Sequence, residues 1–330
     1  MLRFLSRHQL DDHAWDHCVA SAHNALLYGH TWYLDAVTYL PGWRWEGLVR
    51  TNVPDGNPVG YEAVLPIPLR RRWGQWVVYQ PLFCQFLAIF SNQPIDPGPF
   101  IQAVYDRYRH GSVWQLLLDS PLPGLPAQVR QQALFTHVLP LRDSYRKTTP
   151  NYTPDRQMNV RRARRRVANV PDWQLTESID VEPLLRLFQE NHAADIGVGE
   201  WAYTLFRVLF KALQARELGT LRYAYAGGQI VAGALFVEQH GRITYLFNAA
   251  NAEGRWLNAR TILLDELIQT EQKKATPKPA LLDFESPEKV GVVSFYESFG
   301  AVAQPYVRLS WSRLTWIERL ARKCVTRRTD

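Results

Sequence analysis

Cysteine is scarce in this chain. Three cysteines and two methionines occur among 330 residues, and Cys18, Cys84 and Cys324 are far apart in the sequence. An odd number of isolated cysteines excludes a disulfide framework and any Cys-x-x-Cys redox or zinc site.

Long apolar runs and several enzyme signature loops are missing as well. No run of about 20 apolar residues exists, so the sequence predicts no transmembrane helix. The N-terminus lacks an apolar signal core, and we therefore expect a cytoplasmic protein. There is no Gly-x-Ser-x-Gly elbow, no Walker loop and no dinucleotide fingerprint, which excludes the enzyme classes built on those loops.

One cluster near the N-terminus has the residue types of a metal site. Asp12, His13, Asp16 and His17 place two histidines four residues apart, on one face of a predicted helix. The glutamate of the zinc-protease motif and further ligands are missing, so we predict no metal site.

The chain does contain ample apolar material and one cationic element. Hydrophobic residues make up 46% and aromatic residues 12%, which excludes a disordered or collagen-like chain. The net charge is +7, and residues 142–170, with nine Arg or Lys against two Asp, account for all of it. A charge confined to one segment excludes a protein that coats nucleic acid non-specifically.

A similar order of turns and strands occurs twice along the chain. The matching segments are 56–60 with 228–232, 74–77 with 241–244, and 116–121 with 281–287. An internal repeat of one α/β unit explains them, although hairpins of this kind also recur by chance. We predict domains at 1–147 and 148–312, the second opened by a basic helix, and a basic amphipathic tail at 313–330.

Two motifs of the second half carry a family resemblance. Residues 281–286 followed by 293–301 are similar to the Asp-Phe-x-Gly/Ser … Phe-Tyr/Lys-x-x-Phe-Gly pattern of the Fem peptidyltransferases. Residues 157–163 are similar to the Arg-Asn-Ile-Arg-Lys-Ala element that opens the second Fem domain, and the aromatic block 79–83 matches more weakly. The chain thus resembles the GNAT acyltransferase superfamily in the double arrangement of the Fem proteins. The resemblance implies an α/β fold of two GNAT-like domains, each a mixed central sheet flanked by helices.

The resemblance also implies a donor site in the second domain. GNAT enzymes hold the acyl-CoA pyrophosphate with a Gln/Arg-x-x-Gly-x-Gly/Ala loop at a helix N-terminus, where backbone N–H groups approach the phosphate. The corresponding residues are Arg255, Asn258, Ala259 and Arg260. Because Asn258 and Arg260 replace the glycines, the donor stays open between acyl-CoA and aminoacyl-tRNA, and no tightly bound cofactor is expected.

Three residues are candidate catalytic groups. Asp283 and Glu285 are two apart in a predicted strand, so they would share a face, and either could be a general base for an amine. A strand-end carboxylate that caps the next helix is the alternative. Tyr296 stands where the resemblance implies the acid that protonates the leaving group, and an aromatic ring packed on the sheet is its alternative.

Two further sets are candidate substrate-binding residues. Arg161, Arg162 and Arg165 of the basic helix would clamp phosphates, including those of a tRNA, or would form a solvated face paired with acids. The aromatic set expected to line an acceptor cleft between the domains is Trp32, Tyr79 and Phe83.

Together these residues predict an N-acyltransferase that joins an acyl or aminoacyl group to an amine, with a cell-wall or surface-polysaccharide precursor as a candidate acceptor. The alternative is a non-catalytic GNAT-like module that binds a polyanion through the basic helix. The tail at 313–330 is open to two interpretations, a peripheral contact with an anionic membrane and a packed terminal helix.

Overall fold

The chain divides into two units, and one of them is formed by two segments that are far apart in the sequence. The computed structural model describes residues 1–51, 60–72, 74–141, 151–192, 197, 199–273, 281–286 and 289–313. Unit 1 comprises Met1–Leu134 together with the chain from Pro305, and unit 2 comprises Phe135–Gln304. The predicted tail after Arg313 lies outside the described residues.

Unit 1 is built on a mostly antiparallel sheet. Its strands are β1 (Leu2–Ser6), β2 (Trp43–Arg50), β3 (Ala63–Arg72), β4 (Gln75–Tyr79), β5 (Phe90–Ser91), β6 (His110–Leu116) and the last strand of the chain, β13 (Val302–Ser312). Its helices are α1 (Asp12–Ser21), α2 (Thr31–Val37) and α3 (Gly98–Arg107). The strand order is β1-β2-β3-β4-β6-β13, with β5 beside β3, and β4 and β6 run parallel.

The long strand β3 contains two prolines without losing its pairing. Pro66 and Pro68 face Gly47 and Trp45 of β2, whereas β4 pairs only with residues 69–72 and β5 only with 63–64. The prolines therefore fall where β3 has a strand neighbour on one side alone, and a missing N–H removes no ladder bond there.

Unit 2 is a mixed sheet flanked by helices. Its strands are β7 (Arg130–Pro140), β8 (Gln174–Ser178), β9 (Gly219–Ala226), β10 (Gln229–Gln239), β11 (Arg242–Ala250) and β12 (Leu281–Asp283). Its helices are α4 (Pro154–Val167), α5 (Glu182–Asn191), α6 (Glu200–Gln214), α7 (Ala252–Trp256), α8 (Ala259–Lys273) and α9 (Val290–Glu297). The order is β7-β12-β11-β10-β9-β8, and β11 with β12 is the parallel pair. The predicted fold class, two α/β units each with a mixed central sheet, is confirmed.

The apolar face of the basic helix is part of the core of unit 2. Val160, Ala163 and Val167 of α4 are buried and join a cluster that includes Ile262 and Leu263 of α8. Their spacing of three and four residues predicts one buried stripe, and burial of that stripe turns the remaining face of α4, with its arginines, outward.

Two strands depart from the predicted partition of the chain at 147 and 312. From Phe135 on, β7 clusters with unit 2, where Val138 pairs with Asp283 of β12. From Pro305 on, β13 clusters with unit 1, where Val307 pairs with Leu116 of β6. The pairing of strands that are so distant in sequence leaves no local signature. The composition of the linker therefore predicts a boundary that differs from the one in the structure. Within the described residues, no helix has the length and apolarity needed to span a membrane.

Candidate functional site

The two parallel strands of unit 2 separate part-way along their length. β12 pairs with β11 at three positions, the last of which is Thr244 with Asp283. β11 continues to Ala250 beside β10, whereas Phe284 donates its N–H to the His137 carbonyl of β7 at 3.0 Å. In the part of the chain that the structure describes, the later half of β11 has no strand partner on this side. Its edge offers backbone groups that an extended ligand can pair with.

Helix α8 begins close to the end of that open edge. Asn258, just before the helix, has φ +57°, and its carbonyl accepts the N–H of Ile262 at 3.2 Å. The N–H groups of Ala259, Arg260 and Thr261 donate to no acceptor among the described residues. Unpaired N–H groups at the start of a 15-residue helix favour an anion, because the helix dipole adds to their partial charge.

The residues predicted to bind the donor contribute in two ways, through a backbone conformation and through side-chain hydrogen bonds. Asn258 keeps the left-handed backbone that a glycine would supply, since asparagine tolerates this region better than most side chains do. Arg255 donates to the Ala250 carbonyl at 2.8 Å, and Arg260 donates to Asn248 Oδ1 of β11 at 3.1 Å. The two arginines therefore tie the loop to the end of β11, and the backbone N–H groups remain for an anion.

Two tyrosines gather where the strands separate. The Tyr296 ring of α9 stacks on Phe284 with 4.3 Å between ring centres, and the Tyr245 ring of β11 lies 6.5 Å away from it, edge-on. Neither hydroxyl has a hydrogen-bond partner in the described residues. Tyr296 thus combines the packed ring of one interpretation with the available hydroxyl that the other requires.

Burial decides the protonation of these tyrosines. Burial raises the pKa of Tyr296 to about 12, and the charge of Arg260 acts in the opposite direction. Burial also raises the pKa of Tyr245. Both hydroxyls are therefore protonated at neutral pH and can donate a hydrogen bond or a proton.

Asp283 is enclosed by donors from three segments. Its Oδ2 accepts from Arg242 Nη1 at 2.5 Å, and its Oδ1 accepts from Thr136 Oγ1 at 2.9 Å and from the Glu285 N–H at 3.0 Å. The carboxylate is fully buried, and these hydrogen bonds hold it in place. This arrangement suits a residue that positions the following turn.

Glu285 does not share a strand face with Asp283. β12 ends at Asp283, and Glu285 has φ +44°, which turns the chain out of the strand. The expected same-side pair of carboxylates is not formed, because the separation of the strands begins at this point. The half-buried Glu285 side chain lies close enough to Tyr296 to influence its pKa.

A buried histidine beside the separation was not predicted. His137 of β7 is 4% exposed, and its Nδ1 is buried without a hydrogen-bond partner among the described residues. Its Nε2 lies 3.9 Å from Oε1 of Glu297, the residue after Tyr296. Two polar residues, Thr136 and His137, interrupt the apolar stretch 134–139, and this interruption is the one sequence signal for the histidine. Only the pairing of β7 with β12 brings His137 to the site.

Three arginines of α4 serve the structure of unit 2. Arg164 forms an ion pair with the buried Asp265 at 2.6 Å. Arg166 lies over the Trp256 ring, 4.5 Å from its centre, and Arg156 lies over two phenylalanine rings. These interactions engage three of the six arginines of α4, and of these three Arg164 alone is paired with acids in the described residues.

The other three arginines of α4 form no ion pair within the described part of the chain. Arg161, Arg162 and Arg165 are on the outward face of the helix, and the described residues provide no carboxylate partner for any of them. These are the three that the sequence predicts to bind substrate. Their like charges, with Arg161 and Arg165 at i,i+4, repel one another in the absence of an anion.

The aromatic set lies in unit 1. Trp32 of α2 stands edge-on to Tyr33, 5.5 Å away. Phe83 has φ +60°, and its carbonyl accepts the hydroxyl of Tyr33. Tyr79 ends β4 and meets the Trp43 ring edge-on at 5.7 Å. All three predicted residues are half-buried.

Comparison with known proteins agrees with the geometry of unit 2. Residues 154–271, from the basic helix into α8, match the family model described as an acetyltransferase (GNAT) domain. All of the matched residues lie within unit 2. The match begins at the helix predicted to open the second domain. No curated protein matches the chain.

Solved structures extend the likeness to the whole chain. The crystal structure of FemX is 11% identical with a TM-score of 0.61, covering 90% of this chain and 96% of that one. A tandem GNAT protein from the clavulanic acid biosynthesis pathway is 11% identical (TM-score 0.52, 96% and 99% covered). L-PGS from Bacillus licheniformis is 14% identical (TM-score 0.52, 96% of each chain). The double-GNAT fold, implied by the motifs, is confirmed.

Proposed function

We propose that the protein is an N-acyltransferase, which moves an acyl or aminoacyl group from a carrier to an amine. The observation that carries the proposal is the open edge of β11 next to the unpaired N–H groups that begin α8. A donor with amide groups and a phosphate, as acyl-CoA has, can pair with the first and place its phosphate at the second. The phosphates of an aminoacyl-tRNA suit the same helix end.

The proposed reaction needs one proton donor and one proton acceptor. The amine nitrogen attacks the acyl carbonyl carbon, a C–N bond forms, and the C–S or C–O bond to the carrier breaks. The amine loses a proton, and the departing thiolate or alkoxide gains one. Tyr296 is our candidate for the proton donor because it is protonated at neutral pH, and the positive charge of Arg260 stabilises the tyrosinate that remains.

Glu285 and His137 are our candidates for the group that accepts the amine proton. Asp283 is excluded from that role in our proposal, since Arg242 and Thr136 already engage its oxygens. We assign to Asp283 the positioning of Glu285, whose N–H it accepts. A Glu285→Gln variant that retains full activity, beside an inactive His137→Ala variant of unchanged donor affinity, would identify the histidine as the base.

Donor binding is the first test of the proposed function. We expect calorimetry to detect binding of acetyl-CoA, of a longer acyl-CoA or of an aminoacyl-tRNA. Because the chain resembles the Fem peptidyltransferases, the amines of cell-wall precursors are the first acceptors to assay. With acyl-CoA or aminoacyl-tRNA as the donor, we propose that the activity is cytoplasmic. Absence of binding by all of the donors at millimolar concentration would contradict the proposal.

The Tyr296→Phe variant tests the proposed acid. It removes one hydroxyl and keeps the ring stacked on Phe284, so donor affinity should stay close to that of the wild-type protein. Turnover should fall by roughly 10²–10⁴-fold, the usual contribution of a general acid. Tyr225→Phe, on β9 of the same unit, is the control and should keep full activity. Equal activity of the two variants would remove Tyr296 from the mechanism.

A second candidate function is the binding of a polyanion through the outward face of α4. The observation that favours it is that Arg161, Arg162 and Arg165 have no acid partner in the described part of the chain. Replacing Arg161 and Arg165 by Gln should leave stability level or slightly higher, because an i,i+4 repulsion of a few tenths of a kcal/mol is relieved. The loss of each charge-assisted hydrogen bond should weaken the binding of a phosphorylated ligand by about 1.5–3 kcal/mol.

The salt dependence of binding separates the two candidate functions. Steep loss of oligonucleotide affinity with rising salt, without binding of any acyl donor, would favour the polyanion module. The control removes the same charge elsewhere, through Gln at the exposed Arg3 and Arg130. A destabilised Arg161/Arg165 variant with unchanged ligand affinity would show that these arginines serve the structure alone.

A further inference from the structure

Two arginines at the end of β3 in unit 1 share one face of the sheet. Arg70 and Arg72 are two residues apart on the strand, so their side chains leave it on the same side. Both are half-buried. Neither forms an ion pair with a carboxylate among the described residues. Burial and the neighbouring charge of Arg72 lower the pKa of Arg70, so the two cations lie close enough to repel one another.

Aromatic rings hold this pair of cations in place. The guanidinium carbons of Arg70 and Arg72 lie 5.5 Å and 5.0 Å from the centre of the Tyr79 ring. Arg70 also lies 5.2 Å from the centre of the Trp43 ring. Stacking uses the faces of the guanidinium groups and leaves N–H donors at their edges. The stacking therefore explains where the cations are, but it does not neutralise them.

The opposite face of β2, β3 and β4 shows what surrounds an arginine that has a purely structural role. Arg44 stacks on Trp76 at 4.1 Å, and its charge is met by the buried Glu46 at 2.8 Å. Glu46 is shared with Arg107, but an arginine that is stacked on a ring and also paired with a buried carboxylate needs no further partner. Arg70 and Arg72 have the rings without the carboxylate, and their shared face carries two uncompensated charges.

We propose that Arg70 and Arg72, held on the rings of Trp43 and Tyr79, bind the phosphate or diphosphate group of a small ligand. A dianion matches two fixed positive charges, and two guanidinium edges can donate to several phosphate oxygens at once. A single carboxylate would neutralise only one of them. Tyr79, predicted from the sequence to contact substrate, would form part of this site. The inference concerns unit 1 and does not depend on the proposed acyl transfer.

Arg71 provides a matched control for the test. It lies between the two arginines on the same strand, is exposed, and leaves the strand on the opposite face. Arg70→Gln, Arg72→Gln and Arg71→Gln therefore remove the same charge from neighbouring positions. Relief of the repulsion between Arg70 and Arg72 should keep the first two variants folded, which thermal unfolding checks directly.

The experiment is a calorimetric titration of the full chain with sodium pyrophosphate and, separately, inorganic phosphate at constant ionic strength. We expect wild-type protein and Arg71→Gln to bind pyrophosphate alike, and Arg70→Gln and Arg72→Gln to bind it at least about tenfold more weakly. Lysine at either position keeps the charge but not the paired N–H geometry, so Arg70→Lys should also weaken binding. This variant serves as the test if a glutamine variant does not fold.

Three results would overturn the inference. The first is an absence of pyrophosphate and phosphate binding by the wild-type protein at millimolar concentration. The second is an equal loss of affinity in Arg71→Gln, which would indicate a general charge effect. The third is binding of an oligonucleotide single strand with steep salt dependence in the absence of pyrophosphate binding, which would assign the surface to a polyanion.

Discussion

At the scale of single residues, equal side chains in one helix have unequal roles. Arg164 and Arg165 are neighbours on α4, yet Arg164 meets a carboxylate that is 1% exposed, and Arg165 meets none in the described residues. Asp265 also accepts from the Tyr152 hydroxyl at 3.0 Å. A buried carboxylate that loses its cation is costly, because its remaining neutral donors do not replace the missing charge.

Arg164→Gln should therefore destabilise the protein, and Arg165→Gln should not. We expect a loss of about 1–3 kcal/mol for Arg164→Gln, below the range for fully buried pairs because the arginine is itself partly solvated. Arg165→Gln should change the free energy of unfolding by less than about 0.5 kcal/mol. Urea denaturation of both variants measures the difference, and equal stabilities would show that Arg164 contributes nothing to the core.

The buried ring of Tyr296 shows that two roles can coexist in one side chain. Its ring packs on Phe284, as expected of an aromatic residue on a helix, while its hydroxyl is left without a partner among the described residues. The sequence presents these roles as alternatives. Only the position of the ring relative to β12 shows that they are compatible.

At the scale of elements, the first two helices of unit 1 are joined by a carboxylate. Asp16 of α1 accepts the N–H and the hydroxyl of Thr31, the first residue of α2, at 2.8 and 2.9 Å. His30 Nδ1 lies 3.4 Å from the same carboxylate. Burial opposes ionisation, but the hydrogen bonds of His30 and Thr31 outweigh it and lower the pKa of Asp16. A residue of the metal-like cluster thus serves to anchor a helix.

This anchor should make the stability of unit 1 depend on pH. A carboxyl with a lowered pKa stabilises the fold above its unfolded value of about 4, and that contribution disappears as the pH falls through the folded value. Asp16→Asn should cost about 1–2 kcal/mol at pH 7 and flatten the decline of stability between about pH 5 and 3. Urea denaturation at both ends of this range measures it. Glu190→Gln, an exposed carboxylate of α5, is the control and should keep the wild-type slope.

At the scale of the whole molecule, the end of the chain completes the unit that the beginning of the chain forms. Trp311 of β13 is 4% exposed, and its Nε1 donates to the Tyr108 carbonyl at 2.8 Å. It fills the space beside Gly111 of β6, where an added Cβ would come within 2.3 Å of the indole ring. Unit 1 therefore depends on a side chain that lies 203 residues beyond Tyr108 in the sequence.

Trp311→Ala should destabilise unit 1 in particular. We expect a loss of about 3–5 kcal/mol, typical of a large aromatic side chain removed from a core. Hydrogen exchange should report weaker protection in β6 and α3, with unit 2 unchanged. Ser312→Ala, an exposed position on the same strand, should leave both units unaffected. An equal decrease of protection in β9 and β10 would contradict the assignment of β13 to unit 1.

The sequence alone determined the local elements of the second half. Alternating residues and glycine turns predict β9, β10 and β11, and the apolar spacing of α8 and the glycine after α9 mark those helices. Gly300, which follows α9, has φ +90°, the left-handed backbone that glycine commonly supplies at the end of a helix. Such signals are local, because helix periodicity, strand alternation and turn geometry each depend on residues within a few positions of one another.

Only the tertiary structure decided what the charged and polar residues do. Asp283 is matched with Arg242, 41 residues away, and with Thr136, 147 residues away, so no spacing in the sequence reveals that it is engaged. His137 reaches the site through the pairing of β7 with β12, and Arg70 with Arg72 acquires its aromatic platform through the pairing of β3 with β2 and β4. Alternation along a strand decides which side chains share a face. Long-range strand pairing decides which neighbours those side chains contact, and the energy of that pairing is shared among many weak interactions along each strand.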